Sequence, residues 1–578
     1  MRICGLKLTH DGAVALIEDQ RLVFSVEMEK IANNPRYASI EDTEQIVEIL
    51  ALYGYRPEDI DCFVIDGWGG FDQDAVAIQP RLRIGPDTNQ LMVDHRGEAL
   101  ELDIAQYREK NVRADVLEER QFSGLRIADR NYDYSSFLHV TGHLFSAYAC
   151  SPFATAGESS YILVWDGGMY PRLYYFDAQQ QRMENLGPIF LFIGNIYSIF
   201  SQHFGPFKVK GRFAKDSLSV AGKVMAYIAK GQAREELYSL FEEIYQAHYS
   251  APMGFANVFV NAFKERVGEQ YSDEDILCSF HHYLEQLLLR KLRKKIERYP
   301  RQHRNLCLAG GCALNIKWNR SIRNTGFFDA VFVPPFPNDS GSAIGAAAAA
   351  MLHRTGSAHL DWSVYAGPAI IANQPANHWD AVACTVPELA QLLHESQEPV
   401  VFLHGRAEIG PRALGNRSIL ASPASPRMKA ILNYVKKREP YRPVSPICLE
   451  RCAPEIFQPG SPDPYMLFDH FVRPGWESKI PAICHLDGTA RLQTITADRN
   501  PLVAELLEAF YQLSGLPMLC NTSANLPQKG FFPDVHSATR WDRVNYVWCD
   551  QTLYRRREKI PLHELVSQPE ALADSVEI

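Results

Sequence analysis

The sequence predicts a mixed α/β chain built from more than one domain, on three observations. Apolar strands run into glycine turns and then helices at Asp166-Gly167-Gly168, Gly310-Gly311 and Asp339-Ser340-Gly341. Residues 1–27 alternate apolar and polar in short runs, the pattern of a strand meander. Residues 355–380 carry Gly, Pro, Asn and Ala without periodicity and read as a boundary between domains 1–360 and 361–578. A length of 578 residues allows two to four domains.

The elements follow in chain order. "RICGLKL", "AVALIE" and "RLVFSVE" are the strands of the meander, and the polar side chains of the "THDG" turn are expected to be exposed. "SIEDTEQIVEILALYGY" predicts a helix with an acidic first turn, followed by the strand "CFVIDGWGG". Residues 70–125 are polar and irregular and read as an insertion. "SSFLHVTGHLFSAYAC" predicts a helix capped near Ser135 or Ser136. "SYILVWDGG" is a buried strand, residues 232–300 are largely helical, and "NLCLAGGCALN" is strand, glycine turn and helix. "AVFVPPFPNDSGSAIGAAAAAMLHR" is strand, loop and an alanine-rich helix. Beyond the boundary, the helix "VPELAQLLHES" precedes the strand "PVVFLHG".

Composition excludes several classes. Apolar residues make up 46% and charged residues 22%, as in ordinary globular chains. The formal net charge of −9 argues against a nucleic-acid partner. No apolar run reaches the ~18–20 residues that span a bilayer. The first twenty residues read as strand and turn, not as a signal peptide, so a cytosolic location is expected. The twelve cysteines are scattered without a C-x-x-C and are expected to be buried, reduced thiols. The basic run "RKLRKKIER" (290–298) is expected to be a solvated helix face.

Three constellations carry chemistry. The glycine turns let backbone N–H groups approach phosphate oxygens, and a helix starting there adds its positive end. Gly167, Gly168, Gly310, Gly311, Ser340 and Gly341 are therefore candidate nucleotide-binding positions. His139 and His143 stand four residues apart and share one helix face, so both imidazoles can reach one metal ion. Asp166 and Asp339 can supply oxygen ligands, a set that suits iron(II), manganese or zinc. Between His404 and Arg442 stand nine Lys or Arg, among them Arg406, Arg412, Arg417, Lys436, Arg438 and Arg442, against Glu408 and Glu439 alone. Arginine forks beside Gly405, Gly410, Pro411 and Gly415 fit a pocket for a small anion.

These constellations, in this order, resemble the O-carbamoyltransferases of antibiotic and natural-product pathways, a family that includes the nodulation protein U group. The likeness covers nearly the whole chain. It runs through "HDGAVALIEDQRLVFSVEMEK", "HVTGH", "WDGG", "LAGGCALN", "PPFPNDSGSAIGAA", "GRAEIGPRALGNRSIL", "NYVKKREPYRP", "HLDGTARLQTI" and "LCNTSANLP". The resemblance implies an α/β plus α+β chain: an N-terminal actin-like (ASKHA) ATPase domain fused to a C-terminal YrdC-like domain. It implies carbamoyl phosphate and ATP as co-substrates, with Mg alongside ATP, and Fe(II) or another divalent transition metal. The second domain would join carbamate to AMP, and the first would pass the carbamoyl group to a hydroxyl of a small-molecule acceptor. By resemblance, His139, His143, Asp166 and Asp339 are the metal ligands, and Gly167, Gly168, Gly310, Gly311 and Asn315 form the nucleotide shell. Arg412, Arg417, Lys436, Arg438, Arg442, Asn521 and Ser523 form the carbamoyl phosphate and adenylation shell, and His10 falls where the acceptor's base is expected.

The chain departs from the family's usual pattern at "VEMEK", "VAGKVMAYIA", "NTSAN", "YRPVSP" and "SPASPR", without losing a charge used above. A threonylcarbamoyl-type tRNA enzyme and a silent ATP-binding regulator are the competing readings. The net charge argues against the first, and the retained arginine and histidine sets argue against the second. The sequence names neither the acceptor nor the oligomeric state, monomer or homodimer.

Overall fold

The computed structural model describes residues 1–69, 81–215, 217–248 and 255–566. The opening meander forms as expected, with Arg2–Lys7, Ala13–Glu18 and Arg21–Glu27 paired antiparallel. It continues through Cys62–Asp66 and Arg130–Phe137, both parallel to Arg2–Lys7, to the edge strand Arg120–Ile127. A second sheet repeats this plan. Arg182–Pro188, Arg172–Asp177 and Ser160–Val164 are antiparallel, and Asn305–Ala309 and Ala330–Phe332 extend the sheet in parallel.

Two helices fill the space between these sheets. Ser342–Thr355 packs on the first sheet and His139–Tyr148 on the second, and the two helices pack on each other. Every residue of His139–Tyr148 is buried, as is every residue from Ser342 to Leu352. Alanine favours the helix and leaves no side chain to hold its neighbours apart. The backbones approach closely as a result. A Cβ on Gly5 would fall 2.0 Å from the Ala343 carbonyl oxygen, and one on Gly345 would fall 1.7 Å from that of Gly142.

The chain from Trp379 to Arg556 builds a third, eight-stranded mixed sheet. Its centre is Val400–Leu403, Arg417–Ala421, Met518–Ser523 and Ser445–Leu449. The helices Val386–Ser396, Pro426–Val435 and Pro501–Ser514 supply apolar residues to its core.

Several expectations are corrected. Ser135 and Ser136 do not cap a helix: they end a strand, in register with Val64 and Ile65, and the helix starts at His139 without a side-chain cap. Sheet pairing outweighs the local capping preference. The expected irregular insertion is largely regular. Arg81–Ile84, Asn89–His95 and Glu98–Ile104 form an antiparallel ribbon, Arg120–Ile127 joins the first sheet, and residues 70–80 lie outside the described residues. The first turn is not solvated: Thr9 and Asp11 are buried and the His10 side chain is 28% exposed. The predicted helix after residue 39 spans only Glu44–Leu52. The basic run does end a helix, Asp273–Arg298, with Arg290 paired to Glu242 and Arg293 to Glu297 on an exposed face. None of the twelve cysteines forms a disulfide; eight are buried as expected, while Cys62, Cys312, Cys452 and Cys484 are only partly buried. No helix among the described residues is long and apolar enough to cross a membrane.

The Gly142–Gly345 crossing generates a prediction. Gly345→Ala places a methyl group against backbone that cannot swing aside, an overpacking that typically costs ~1–3 kcal/mol. Thermal unfolding should fall accordingly. An unchanged melting temperature would show that the crossing is not tight.

Candidate functional site

Both sheets end their parallel strands at one place, where ligands of open α/β sheets bind. Lys7 ends the first strand, Asp66 the fourth, and His139 follows the strand Arg130–Phe137. From the second sheet, Asp166 follows Ser160–Val164, and Gly310 and Gly311 follow Asn305–Ala309. The Asp339 turn, after Ala330–Phe332, opens the alanine-rich helix.

His139 and His143 share one helix face, and Asp166 and Asp339 converge on them from separate turns. One ligand atom from each lies within 4.8 Å of the others, and all four residues are buried. His139 Nε2 and His143 Nε2 stand 3.4 and 3.5 Å from Asp339 Oδ1. Both Nε2 atoms are buried without a hydrogen-bond partner among the described residues. His139 Nδ1 donates to Asp66 Oδ2 at 2.7 Å, which turns Nε2 toward Asp339 Oδ1. Burial disfavours the imidazolium, but Asp66 and Asp339 outweigh it and raise His139 to about 9. Asp166 Oδ1 accepts the Gly311 N–H at 2.8 Å, and Oδ2 accepts the Tyr107 hydroxyl at 2.5 Å. Two imidazoles with orphaned nitrogens and two fixed carboxylates fit a divalent transition metal.

Lys7 and His10 flank this cluster. Lys7 Nζ is buried, 3.3 Å from Asp66 Oδ2 and 3.1 Å from Asp339 Oδ2, over the face of Trp68. His10 Nδ1 lies 3.0 Å from Asp11 Oδ2 and its Nε2 3.6 Å from Asp339 Oδ2. Asp339 thus turns Oδ1 to the two histidines and Oδ2 to Lys7 and His10. Burial opposes its ionisation, but Lys7, His139 and His10 hold its carboxyl well below the usual range. Burial lowers the His10 pKa, and Asp339 and then Asp11 more than restore it, so it stands above its ordinary value.

A cavity of about 1010 Å³ runs from this cluster to the third sheet. His10, Gly167, Gly168, Gly311, Asn315 and Asp339 wall one end, and Arg412, Lys436, Arg438, Arg442 and Ser523 wall the other. A second cavity of about 160 Å³ shares Arg36, Arg412, Arg438, Arg442 and Ser523 and adds Lys317, His485, Arg491 and Asn521. Burial, reinforced by neighbouring arginines, depresses these guanidiniums: Arg412 to about 10, Arg438 to about 9, and Arg491 well below its usual value. Arg412 Nε is buried without a partner among the described residues. The guanidiniums outnumber the carboxylates beside them, of which Glu439 lies 3.5 Å from Arg442, and such a buried excess of positive charge is a site for an anion.

Not every predicted residue reaches these walls. Arg417 is buried and gives its N–H groups to the carbonyls of His404, Gly405, Asn416 and Pro368. Arg406 donates to the Gly367 and Ala366 carbonyls and lies over Tyr53. Both forks shape the loop that presents Arg412. Gly310 takes φ +86°, with Trp165 O where a Cβ would sit, and lines neither cavity. Ser340 donates to Asn338 Oδ1, and Gly341 packs under Phe336, both off the walls. Lys436 gives its ammonium to Ser523 O, Asn525 O and Asn525 Oδ1 at 2.6–2.9 Å, so it holds that loop while lining the cavity.

Sequence reasoning missed Lys7, Asp66, Tyr107, Arg36, His485 and Arg491. Asp66-Gly67 repeats the Asp166-Gly167 pattern at the end of an apolar strand and was legible on that ground. Lys7 had a fainter signal, a cation closing an otherwise apolar strand.

Comparison with known proteins matches the sequence to a family. Residues 2–348 match "Carbamoyltransferase N-terminus" and residues 390–556 match "Carbamoyltransferase C-terminus". The chain is 48% identical to Nodulation protein U of Rhizobium tropici, over 100% of this chain and 99% of the relative. It is 45% identical to Nodulation protein U of Bradyrhizobium diazoefficiens, over 98% of this chain and 100% of the relative. It is 31% identical to 3'-hydroxymethylcephem-O-carbamoyltransferase of Streptomyces clavuligerus, over 96% of this chain and 99% of the relative. Two family halves in order and relatives aligned end to end make this chain a member of the carbamoyltransferase family, an enzyme that transfers carbamoyl groups.

Proposed function

We propose that the enzyme makes carbamoyl-adenylate from carbamoyl phosphate and ATP and transfers the carbamoyl group to a hydroxyl of a small molecule. The observation that carries this reading is the shared wall: Arg412, Arg438, Arg442 and Ser523 line both the small arginine cavity and the large cavity that reaches His10 and Asp339. The division near residue 360, into an actin-like first domain and a YrdC-like second, belongs to the same proposal. An O-carbamoyl transfer is what the Streptomyces clavuligerus relative's name states, and the same class of acceptor is proposed here.

The arginine cavity holds the phosphate of carbamoyl phosphate and the phosphates of ATP. Its guanidiniums are already desolvated, so an anion there meets donors that need no further stripping of water. Water cleaves carbamoyl phosphate to carbamate and inorganic phosphate; a carbamate oxygen then attacks the α-phosphorus of ATP, and pyrophosphate leaves. Carbamoyl-adenylate then occupies the large cavity. Gly167, Gly168, Gly311 and Asn315 border the nucleotide end. The acceptor oxygen attacks the carbamoyl carbon, AMP leaves, and the acceptor proton passes to His10 Nε2. Asp11 supports this by accepting from Nδ1, which leaves Nε2 free to take the proton. A divalent metal held by His139, His143, Asp166 and Asp339 would supply Lewis-acid polarisation of an oxygen in this cavity.

Three measurements test the proposal. Arg412→Ala should weaken carbamoyl phosphate binding by roughly 2–5 kcal/mol in calorimetry, because it removes a charge-assisted contact from a desolvated pocket. Unchanged affinity would remove the anion from this site. Elemental analysis of the purified protein should find a transition metal that the His139→Ala/His143→Ala double variant has lost, and retention in that variant would make the pair structural.

His10→Ala should separate the two half-reactions. In single turnover it should still release pyrophosphate, while the carbamoylated product forms ~10²–10⁴-fold more slowly. If both steps slow together, His10 serves the nucleotide or the fold. If neither slows, another group takes the proton.

A further inference from the structure

The small arginine cavity is walled by donors: Arg36, Arg412, Arg438, Arg442 and Arg491 all line it. Asp487, the one carboxylate on its wall among the described residues, is already engaged by Lys317 Nζ at 2.5 Å and the Thr489 hydroxyl at 2.7 Å. Two other lining side chains, His485 and Asn521, each carry a buried atom without a hydrogen-bond partner among the described residues. Both orphaned atoms are acceptors, as their neighbours show.

The Thr489 hydroxyl gives its single proton to Asp487 Oδ1. The 3.1 Å contact between Thr489 Oγ1 and His485 Nδ1 therefore has the imidazole donating. That puts the ring proton on Nδ1 and leaves His485 Nε2 as a bare lone pair. Burial, with Lys317 and Arg491 nearby, lowers His485 to about 3 against the pull of Asp487, so the ring is neutral. Asn521 Nδ2 donates to Ala413 O at 3.1 Å and to Gln493 Oε1 at 2.9 Å. Gln493 Nε2 donates in turn to Leu414 O at 2.8 Å, which fixes both amides. Asn521 Oδ1 is then the bare atom.

A phosphate offers acceptors only, so it matches the arginines and not these two atoms. We propose that His485 Nε2 and Asn521 Oδ1 accept the two N–H bonds of the carbamoyl amino group and make this cavity select carbamoyl phosphate over acyl phosphates that lack an amino group. The inference rests on the reading of the arginine cavity as the carbamoyl phosphate site. Acetyl phosphate carries the same phosphate, with a methyl group in place of –NH2, and leaves both buried acceptors facing carbon. Sites built to bond a substrate N–H reject the analogue that lacks it far more strongly than apolar pockets reject a missing methylene.

The test compares the dissociation constants of carbamoyl phosphate and acetyl phosphate by calorimetry on the full chain. Wild type should prefer carbamoyl phosphate by about 10⁴-fold. His485→Phe keeps a planar ring without the acceptor. It should lose about tenfold of that preference through weaker carbamoyl phosphate binding, with acetyl phosphate unchanged. Thr489→Val is close to isosteric, releases the Nδ1 proton from its partner, and should lower the preference by a smaller factor. It also serves if the His485 variant does not fold. A wild-type ratio near one, or a ratio undiminished in the folded variants while both phosphates bind, overturns the inference and leaves the arginine pocket standing. Failure of wild type to bind either phosphate overturns the pocket itself, and the inference with it.

Discussion

The site depends on one close contact between backbones. The helices His139–Tyr148 and Ser342–Thr355 cross where glycine meets glycine, at Gly142 and Gly345, with no side chain between them. That approach sets His139 and His143 against Asp339, and it sets Asp66 Oδ1 so close to Gly142 that a Cβ there would fall 2.7 Å away. The alanines of the second helix serve the same end on the sheet side, where Gly5 admits the Ala343 carbonyl. A crossing this tight leaves the buried charges little freedom. Lys7, Asp66 and Asp339 form a buried triad at 3.1–3.3 Å, which costs desolvation that only good geometry offsets. The fold supplies that geometry from the ends of parallel strands, so the packing constraint and the chemical constraint are the same one.

The arginine end works on the opposite electrostatic sign and by a different division of labour. Arg406 and Arg417 act as scaffold, saturating backbone carbonyls around a loop whose interior Glu408 ties by accepting the Leu414, Asn416 and Arg417 N–H groups. The loop is also tied to the first sheet: Lys30 Nζ donates to the Glu408 and Gly410 carbonyls, and Glu27 accepts the Gly410 N–H. Arg412, one residue beyond Pro411, is left with its fork uncommitted. Loop arginines of one sequence motif therefore separate into those that build the pocket and those that face its ligand.

Much of this was legible in the residues. Strand–glycine turn–helix units show because apolar runs end at glycine, and the His139/His143 spacing shows because a helix repeats every 3.6 residues. The exposure of a turn does not show. His10 and Asp11 are polar because they face a cavity, and composition alone cannot tell a cavity from bulk solvent. The ribbon from Arg81 to Ile104 was unreadable for a related reason: its outward strands are polar on exposed faces, so the alternation that marks a strand is weak. Tyr107 lies just past that ribbon and reaches Asp166 across 59 residues of chain, a partnership that only the tertiary fold creates. The arginine motif was read as a unit, but direction is a property of side-chain packing, and sequence carries no sign of which forks turn inward.

Arg36, from the loop after the first sheet's meander, and Lys317, from the helix after Gly311, both stand in the wall of the arginine cavity. Lys317 also pairs with Asp469 and Asp487 of the later chain. The arginine cavity, walled mainly by the later half of the chain, is therefore completed by residues of the earlier half. A chimera joining the first half of one relative to the second half of another would inherit a seam through its binding pocket. The two halves of this enzyme are consequently constrained to diverge as one heritable unit, and acceptor range is free to change only where the cavity wall belongs to a single half.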